Sequence, residues 1–402
     1  SANTTADNNT AAGYAALGTT STGANNTAFG YYALQANTAA NNTAIGKDAL
    51  TTNTTGSENV AVGLDCLQAN TTASDCVGVG HSALEANTTG ASNTAIGKNS
   101  LAANTTGSPN TALGMNSMAA NTTGTNNTGL GYQALKSNTT GARHVAVGDG
   151  ALYYNTTGSW NTAVGSLALQ ANTTGTYNTA VGYETLDANT TASYNTAVGY
   201  AALGAVTTGT TNDVFGYNAA NNLTTGSYNV LIGNNIATSS TSTSNANGLG
   251  YNITCADNYT TIGQGTGDIR AEHGVATWST ISDERVKKDI EDSTVGLNFI
   301  NDLRPVTFNY RNKGDLPTEF RGYEEDSTEV YKSEKSQHGF IAQEVKAVID
   351  KHSDIKDGFG MWDDNDLAGQ QRVGEAAVIP MLVKAIQELS AKVIELESKI
   401  EE

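Results

Sequence analysis

Basic residues, cysteines and long hydrophobic runs are all scarce in this sequence, and each shortage excludes a class of function. The 402 residues carry 21 Lys/Arg against 39 Asp/Glu, with no basic cluster, which argues against nucleic acid or an anionic membrane as a partner. No run approaches the roughly 18 apolar residues of a membrane span, so we expect no membrane insertion. Three cysteines without C-x-x-C spacing predict neither a disulfide framework nor a zinc site. The five histidines form no metal-spaced cluster, so we expect no metal and no cofactor.

Charge is distributed unevenly along the chain. Residues 1–281 hold only 5 of the 21 Lys/Arg residues and 13 of the 39 Asp/Glu residues. This change in composition predicts a domain boundary near residue 282. Because residue 1 is Ser rather than Met, we also expect a processed chain or a fragment, with an attachment region upstream.

A glycine, here called the ladder glycine, recurs every 17 residues from Gly46 to Gly250. The idealised unit reads N-T-A-V-G-Y-x-A-L-x-A-N-T-T-G-S-Y, which Asn161–Tyr177 follows closely. A fixed period of this length indicates a unit that cannot bury its own apolar face and must stack on its neighbours. At a rise of about 4.8 Å per coil, the regular part would form a shaft of roughly 60 Å.

Each unit has room for two short strands and two tight corners. T-A-V-G is typical of a strand, and N-T-T-G of a corner, because Asn tolerates left-handed backbone angles and Gly supplies positive φ. We expect two apolar anchors per coil: the residue before the ladder glycine, such as Val164, and the Leu or Met four residues after it, such as Leu169. Asparagines at equivalent positions should form hydrogen-bonded ladders. The prediction is an all-β solenoid over residues 1–267 and a connector over 268–281.

A coil this thin buries little apolar surface as a single chain, so we expect several chains around one axis. The N-T-A-φ-G and A-L-x-x-N-T-T-G elements resemble the head repeats of trimeric autotransporter adhesins and the shaft repeats of viral tail fibres. That resemblance implies a trimeric β-roll, and therefore a homotrimer.

Aromatic residues recur at two positions of the repeat, one after the ladder glycine and one before the strand asparagine. The second set, here called the aromatic row, comprises Trp160, Tyr177, Tyr194 and Tyr228. If it faces solvent, it is suited to stacking on the sugar rings of a host cell-surface glycan. The alternative is that both sets pack between chains or coils. A glycosidase would need paired carboxylates, and Glu184 and Asp187 lie only three residues apart in a turn region.

The C-terminal region carries four ordered motifs. It begins with S-D-E-R-V-K-K-D-I at residues 282–290, in which a Ser precedes a Lys by five residues, a common spacing. R-P-V-T-F-N-Y at 304–310, H-G-F-I-A-Q-E-V at 338–345 and A-V-I-P-M-L-V-K-A-I-Q-E-L at 377–389 follow. Together they resemble the C-terminal intramolecular chaperone domain of endosialidases and other phage tail spikes and fibres, the peptidase S74 family.

The resemblance implies an α+β chaperone domain over residues 282–402 that drives trimerisation and then cuts itself off between Ile281 and Ser282. A repetitive chain has many nearly equivalent registers, so a separate trimerising domain would fix the register before the shaft assembles. Removing that domain afterwards would make unfolding effectively irreversible.

The resemblance also assigns the site residues. Ser282 is the nucleophile and Lys287 its base, a Ser-Lys dyad that acts once on its own chain and on no external substrate. His338 matches a family histidine that would orient or protonate the leaving group, and Asp283 matches the family acid after the nucleophile.

The end of the chain has a coiled-coil pattern with apolar residues alternately three and four apart. This seam comprises Ile379, Leu382, Ile386, Leu389, Val393, Leu396 and Ile400. It predicts a coiled-coil helix over residues 379–400, with Pro380 in its first turn. The β-branched-then-Leu order favours two strands by itself, so the prediction of a trimer depends on the shaft and the family.

The sequence therefore predicts a trimeric viral tail fibre or receptor-binding shaft on the virion, assembled in the host cytoplasm. Its partners would be other tail components upstream and a glycan or protein receptor on the host surface. The alternative is a bacterial cell-surface trimeric adhesin with a permanent, uncleaved cap. Cleavage before Ser282 distinguishes the two.

Overall fold

The chain divides into two compact units, residues 1–282 and 283–402. The structure is a computed structural model. It describes residues 6–19, 22–275, 279–280, 282, 284, 287–320, 322–352, 355, 361–363 and 371–401.

The first unit is a β-solenoid of about 15 turns, which confirms the predicted shaft fold. Its strands are β1 (Thr10–Ala12), β2 (Thr27–Phe29), β3 (Thr43–Ile45), β4 (Val60–Val62), β5 (Val77–Val79), β6 (Thr94–Ile96), β7 (Asn110–Leu113), β8 (Asn127–Leu130), β9 (Val145–Val147), β10 (Thr162–Val164), β11 (Thr179–Val181), β12 (Thr196–Val198), β13 (Asp213–Phe215), β14 (Val230–Asn234), β15 (Ala237–Thr238), β16 (Asn247–Tyr251), β17 (Thr254–Cys255), β18 (Tyr259–Gln264), β19 (Ile269–Glu272) and β20 (Ser279–Thr280). Strands of successive coils pair in parallel, with Ala163 opposite Ala180 for example. After β18, strands β19 and β20 continue the sheet in the antiparallel sense and cover its last parallel edge.

The solenoid core is a column of small residues and leucines. The middle residue of each short strand, such as Ala163, is fully buried, and so is Leu169, which confirms the anchor after the ladder glycine. The other predicted anchor is wrong. The residue before the ladder glycine faces outward, as at Ile45 (42% exposed) and Leu113 (48% exposed). Because side chains alternate across a strand, a coil that buries the Ala of T-A-φ must turn the next residue outward.

Regular coils contain one strand rather than the predicted two. The segment after the ladder glycine folds as consecutive turns, with positive φ at positions such as Leu167 (60°) and Leu169 (52°). Left-handed backbone costs roughly 1–2 kcal/mol for a residue with a side chain. Burial of the Leu169 side chain returns about 1.5–3 kcal/mol, which offsets the cost at that residue. A second strand forms only near the end, where β15 pairs with β17.

The N-T-T-G corner needs glycine for a different reason from the one predicted. In the described coils, neither its Asn nor its Gly has positive φ. A Cβ on the corner residue Gly107 would lie 2.4 Å from the backbone oxygen of Gly124, so glycine permits close stacking of coils. The ladder glycines do have positive φ. At Gly114 φ is +131°, and a Cβ there would lie 2.3 Å from the backbone oxygen of Gly131.

A buried ladder of corner asparagines runs along the solenoid, as predicted. Asn121 Nδ2 donates to Asn104 Oδ1 at 2.9 Å, and Asn138 Nδ2 donates to Asn121 Oδ1 at 2.8 Å. The ladder ends at Asn189, whose buried Oδ1 has no hydrogen-bond partner among the described residues. The reason is that Val206 occupies the equivalent corner of the next coil.

A second ladder joins the strand asparagines. The Oδ1 of Asn110 accepts the backbone N–H of Asn127 at 3.0 Å. His144 replaces an asparagine in this ladder: its Nε2 lies 2.6 Å from Gly158 O, and its Nδ1 accepts the N–H of Asn161 at 3.3 Å. A neutral ring with the proton on Nε2 makes both bonds. Burial lowers the pKa of His144 to about 4.

The three cysteines are buried in the solenoid and unpaired. Burial raises the pKa of Cys66 to about 12 and that of Cys255 to about 11, so these thiols stay protonated. Within the described ranges, no group of His, Cys, Asp and Glu could hold a metal ion, and no helix is long and apolar enough to cross a membrane.

The second unit is a small α+β region that ends in a long helix, as predicted. Its elements are α1 (Leu297–Asp302), β21 (Val306–Phe308), β22 (Gln337–Gly339), α2 (Ala342–Ile349), β23 (Trp362–Asp363), β24 (Arg372–Val373) and α3 (Ile379–Glu401). Strands β21 and β22 are antiparallel, as are β23 and β24. Phe299 of α1 and Val345 of α2 belong to one buried apolar cluster. Helix α1 packs on α3, where the Glu388 carboxylate accepts the N–H of Leu297 at 2.8 Å and satisfies a helix-terminal donor.

Helix α3 begins at Ile379 with Pro380 in its first turn, as predicted. All seven apolar residues of the predicted seam are exposed in the single chain. The helix is therefore confirmed, and its pairing in a coiled coil stays a prediction.

Candidate functional site

The predicted cleavage segment lies at the boundary between the two units. Ser282 is exposed and is the last residue of the first unit. Lys287 is exposed too, and its backbone N–H donates to the carbonyl oxygen of Glu284 at 3.0 Å. Ile281 and Asp283 lie outside the described residues. A cut before Ser282 would therefore remove the second unit while leaving the strands of the solenoid intact.

The structure brings two of the C-terminal motifs together at His338. This residue lies on β22, opposite Thr307 of β21, and its Nδ1 is 3.1 Å from the Thr307 hydroxyl oxygen. The pair lines a shallow cavity of about 330 Å³. The other lining residues are Pro305, Val306, Gly339 and Phe340. The Thr307 contact engages Nδ1, and Nε2 makes no hydrogen bond to another described residue. The ring is thus held in place with one nitrogen available for proton transfer.

An ion pair joins the same two motifs. Arg304, just before β21, makes two hydrogen bonds to the carboxylate of Glu344 in the first turn of α2, one of them Nε to Oε2 at 2.9 Å. The hydrogen bond raises the pKa of Arg304 and lowers that of Glu344. Both side chains are largely exposed, so the pair adds little stability. Its bidentate geometry instead fixes the start of β21 against α2.

The aromatic row forms a stack along the solenoid. Ring centroids are 5.9 Å apart for Trp160 and Tyr177 and 5.1 Å apart for Tyr177 and Tyr194, and the ring planes are nearly parallel. The guanidinium of Arg143 lies 4.1 Å from the Trp160 ring centroid at the other end. An inner ring such as Tyr177 therefore has both faces covered by its neighbours and presents its edge. The proposed contact with a glycan stays a prediction. This geometry restricts it to Tyr194, at the end of the stack that Arg143 does not cover, and to Tyr228, which no ring of the row stacks against.

The carboxylates considered for glycosidase chemistry lie on a turn of one coil. Burial, followed by the charge of Glu184, raises the pKa of Asp187. Sequence reasoning singled out neither Thr307 nor the Arg304–Glu344 pair. Thr307, Arg304 and Glu344 all lie inside the quoted motifs, but their pairing requires the antiparallel β21–β22 ladder.

Comparison with known protein families identifies the start of the second unit. Residues 282–354 match the family described as chaperone of endosialidase, Peptidase_S74, which confirms the family predicted for the C-terminal region. The match begins at Ser282 and includes residues 304–310 and 338–345. It is shorter than the 282–402 that the motifs indicated, and residues 377–389 lie beyond it. No curated protein and no solved structure matches the chain.

Proposed function

We propose that this chain is the shaft of a trimeric viral tail fibre whose C-terminal chaperone directs assembly and then cuts itself off between Ile281 and Ser282. One observation supports this proposal most directly. The family match begins at Ser282, which is also the last residue of the compact solenoid unit. A chaperone that is released after assembly needs its cut at such a boundary, because a cut elsewhere would leave part of one unit attached to the other.

The proposed residues can cleave the peptide bond between Ile281 and Ser282 in two steps. Lys287 Nζ takes the proton of the Ser282 hydroxyl, whose oxygen attacks the carbonyl carbon of Ile281. The C–N bond breaks as the Ser282 nitrogen gains a proton from His338 Nε2, which leaves an ester and a free amine. Water then hydrolyses the ester, so that Ile281 ends in a carboxylate and the Ser282 hydroxyl is restored. Asp283 is the acid beside the nucleophile.

Two exposed apolar surfaces support self-association. Along the sheet, the residues before the ladder glycines, such as Ile45 and Leu113, point outward. On α3, the seam that includes Ile386 is exposed along its whole length. A narrow solenoid buries little apolar surface alone, so covering these surfaces in an oligomer would add to a marginal core. The number of chains, three, is inferred from the resemblance of the shaft repeats to those of trimeric adhesins and viral tail fibres.

The proposed setting is a virion, with the chain assembled in the host cytoplasm and joined to other tail components upstream. The shaft would then present a receptor-binding surface to a glycan or protein on the host. A permanently capped cell-surface adhesin is the competing function, and it requires that the chain stay uncut.

The test is expression of the parent chain with Ser282→Ala, Lys287→Met and the matched control Lys288→Met. Intact mass, N-terminal sequencing of any small fragment and light scattering report the cut and the oligomer. We expect a fragment beginning at Ser282 from the parent and the control, none from the other two variants, and trimeric shafts. An uncut trimeric parent would favour the adhesin, and monomers throughout would refute the trimer.

A further inference from the structure

The aromatic row has one interruption, at Thr211. The backbone N–H groups of Tyr194, Thr211 and Tyr228 each donate to the equivalent carbonyl of the preceding coil, at 3.1, 3.3 and 3.2 Å. The three residues therefore occupy the same place in successive coils. Thr211 stands where an aromatic ring would continue the stack, and it leaves a space one coil high between two tyrosines.

The tyrosines that border Thr211 have a larger exposed fraction than the tyrosine that lies between two rings. Tyr177, between two rings, is 48% exposed, whereas Tyr194 and Tyr228, which border Thr211, are 59% and 61% exposed. No ring of the row covers the face of Tyr194 toward Thr211, and Tyr228 has no neighbouring ring of the row on either face, because Asn245 follows it in the next coil. This leaves an open space with an aromatic residue on either side.

The backbone gives an independent reason to regard these rings as functional. Tyr194 has φ 63° and Tyr228 has φ 62°, whereas other coils place asparagine at this position, such as Asn25 (61°) and Asn126 (58°). Asn adopts left-handed angles readily, and bulky side chains do so at a cost. Trp160 (62°) and Tyr177 (58°) adopt the same angles, so aromatic side chains recur along the row despite this cost, which indicates a role for the row beyond folding.

A carboxylate lies in the same coil as the interruption. Asp213 is the first residue of β13, two positions after Thr211, and it is exposed. In the other parallel strands, the outward positions before and after the buried middle residue carry Thr, Val, Ile, Leu, Phe, Ala or Asn. Asp213 is thus the single charge on that face of the parallel strands, so this coil is the one least suited to the apolar self-association proposed for the face. Its carboxylate makes no hydrogen bond or ion pair to another described residue. The interruption of the aromatic row, Thr211, and the charge on the outward strand face, Asp213, therefore lie two residues apart in one coil.

We propose that this place is a carbohydrate site, which takes one chair-form pyranose of a surface polysaccharide between Tyr194 and Tyr228. Two coils of about 4.8 Å separate the tyrosines by roughly 9.6 Å. A flat ring touches both faces only when they are about 7–8 Å apart, because carbon contacts are about 3.5–4 Å. A puckered pyranose is thicker, and its C–H bonds suit the negative ring faces. Asp213 then accepts hydrogen bonds from the sugar hydroxyls.

The repeat position that Tyr194, Thr211 and Tyr228 occupy is compatible with exposure to solvent. Other coils carry charged side chains here, at Glu58, Asp75 and Arg143. The acidic balance of the chain disfavours a phosphate-bearing ligand, and a carboxylate suits a neutral polyol. This inference rests on the proposed function, because it specifies the receptor class of the shaft.

The test uses saturation-transfer NMR on the full chain with four probes: methyl β-glucopyranoside, methyl β-galactopyranoside, methyl α-mannopyranoside and N-acetylglucosamine. Thr211→Tyr completes the stack and should weaken binding at least about tenfold, which is about 1.4 kcal/mol. Asp213→Asn, which keeps the shape of the side chain, should weaken it by a similar factor. Asn245→Tyr, at the same position one coil beyond Tyr228, adds a ring without filling the space and should leave binding unchanged.

Three results would overturn the site. The first is that none of the probes gives a signal that depends on Thr211 and Asp213. The second is equal loss of binding in Asn245→Tyr. The third is a change of oligomeric mass in Thr211→Tyr, which would show that a side chain of a partner copy fills the space. Cleavage at Ser282, followed in the same preparations, reports the proposed function separately, so either proposal can fail alone.

Discussion

Replacing His144 with asparagine should remove a pH dependence from the stability of the solenoid. The ring is buried and makes hydrogen bonds to two backbone groups, which asparagine makes at this position in most other coils. Burial lowers its pKa from 6.5 to about 4. The unfolded chain therefore takes up a proton at this residue before the folded chain does, and folding loses stability as the pH falls from about 6.5 to about 4.

The size of the effect follows from the difference in pKa. Each pKa unit corresponds to about 1.4 kcal/mol, so a shift from 6.5 to about 4 predicts a loss of roughly 3 kcal/mol between neutral pH and pH below about 4. His144→Asn keeps both hydrogen bonds and has no group that titrates in this range. We expect the variant and the parent to differ little at neutral pH, and the variant to be more stable in acid.

The assay is urea unfolding followed by circular dichroism at several pH values between about 7 and about 4. Carboxylates titrate in both proteins, so the difference between their pH profiles isolates His144. His81→Asn, an exposed histidine of the same solenoid, is the matched control and should reproduce the parental profile. If unfolding is irreversible, unfolding rates replace midpoints. Identical profiles for the parent and His144→Asn would refute the reasoning.

Three further substitutions test the solenoid and the helix. Asn121→Leu leaves its two neighbours in the corner ladder with unsatisfied buried groups and should cost about 2–4 kcal/mol in urea unfolding; no change would refute the role of the ladder. Gly114→Ala forces a Cβ to 2.3 Å from a backbone oxygen and should cost more than about 3 kcal/mol, whereas Gly265→Ala, with nothing within 4 Å, should cost only about 1 kcal/mol. Equal costs would contradict the close packing of coils. Ile386→Glu places a charge on the α3 seam and should lower the oligomeric mass by light scattering, and Lys392→Glu should not; an unchanged mass would remove α3 from the interface.

Much of the shaft could be predicted because its information is local and repeated. The 17-residue period, the buried Leu169 position and the asparagine ladder all follow from which residue types recur and at what spacing. Any residue type that recurs at one position must stack on itself in a solenoid, so identity alone predicts the contact. The family of residues 282–354 was predictable for a similar reason, since its motifs are contiguous in sequence.

The direction in which each side chain points was not predictable. T-A-V contains two residues that could enter the core, and the sequence favours the larger one, Val164. The structure buries Ala163 instead, because the coil is too narrow for more than one large side chain, and that space is already taken by Leu169. The glycines of N-T-T-G are a second case, since only the distance to the next coil shows why Gly107 cannot carry a Cβ.

The same distinction between what the sequence predicts and what only the fold shows holds for the candidate sites. The sequence by itself determined that Ser282 begins a recognisable segment and that aromatic residues recur at fixed positions of the repeat. Only the tertiary structure decided that Thr307 holds His338 and that the rings of the aromatic row stack on one another up to Tyr194. The physical reason is that spacing along a chain specifies which residues are equivalent, whereas contacts between different positions depend on the width of the coil and on the pairing of strands, which no single repeat contains.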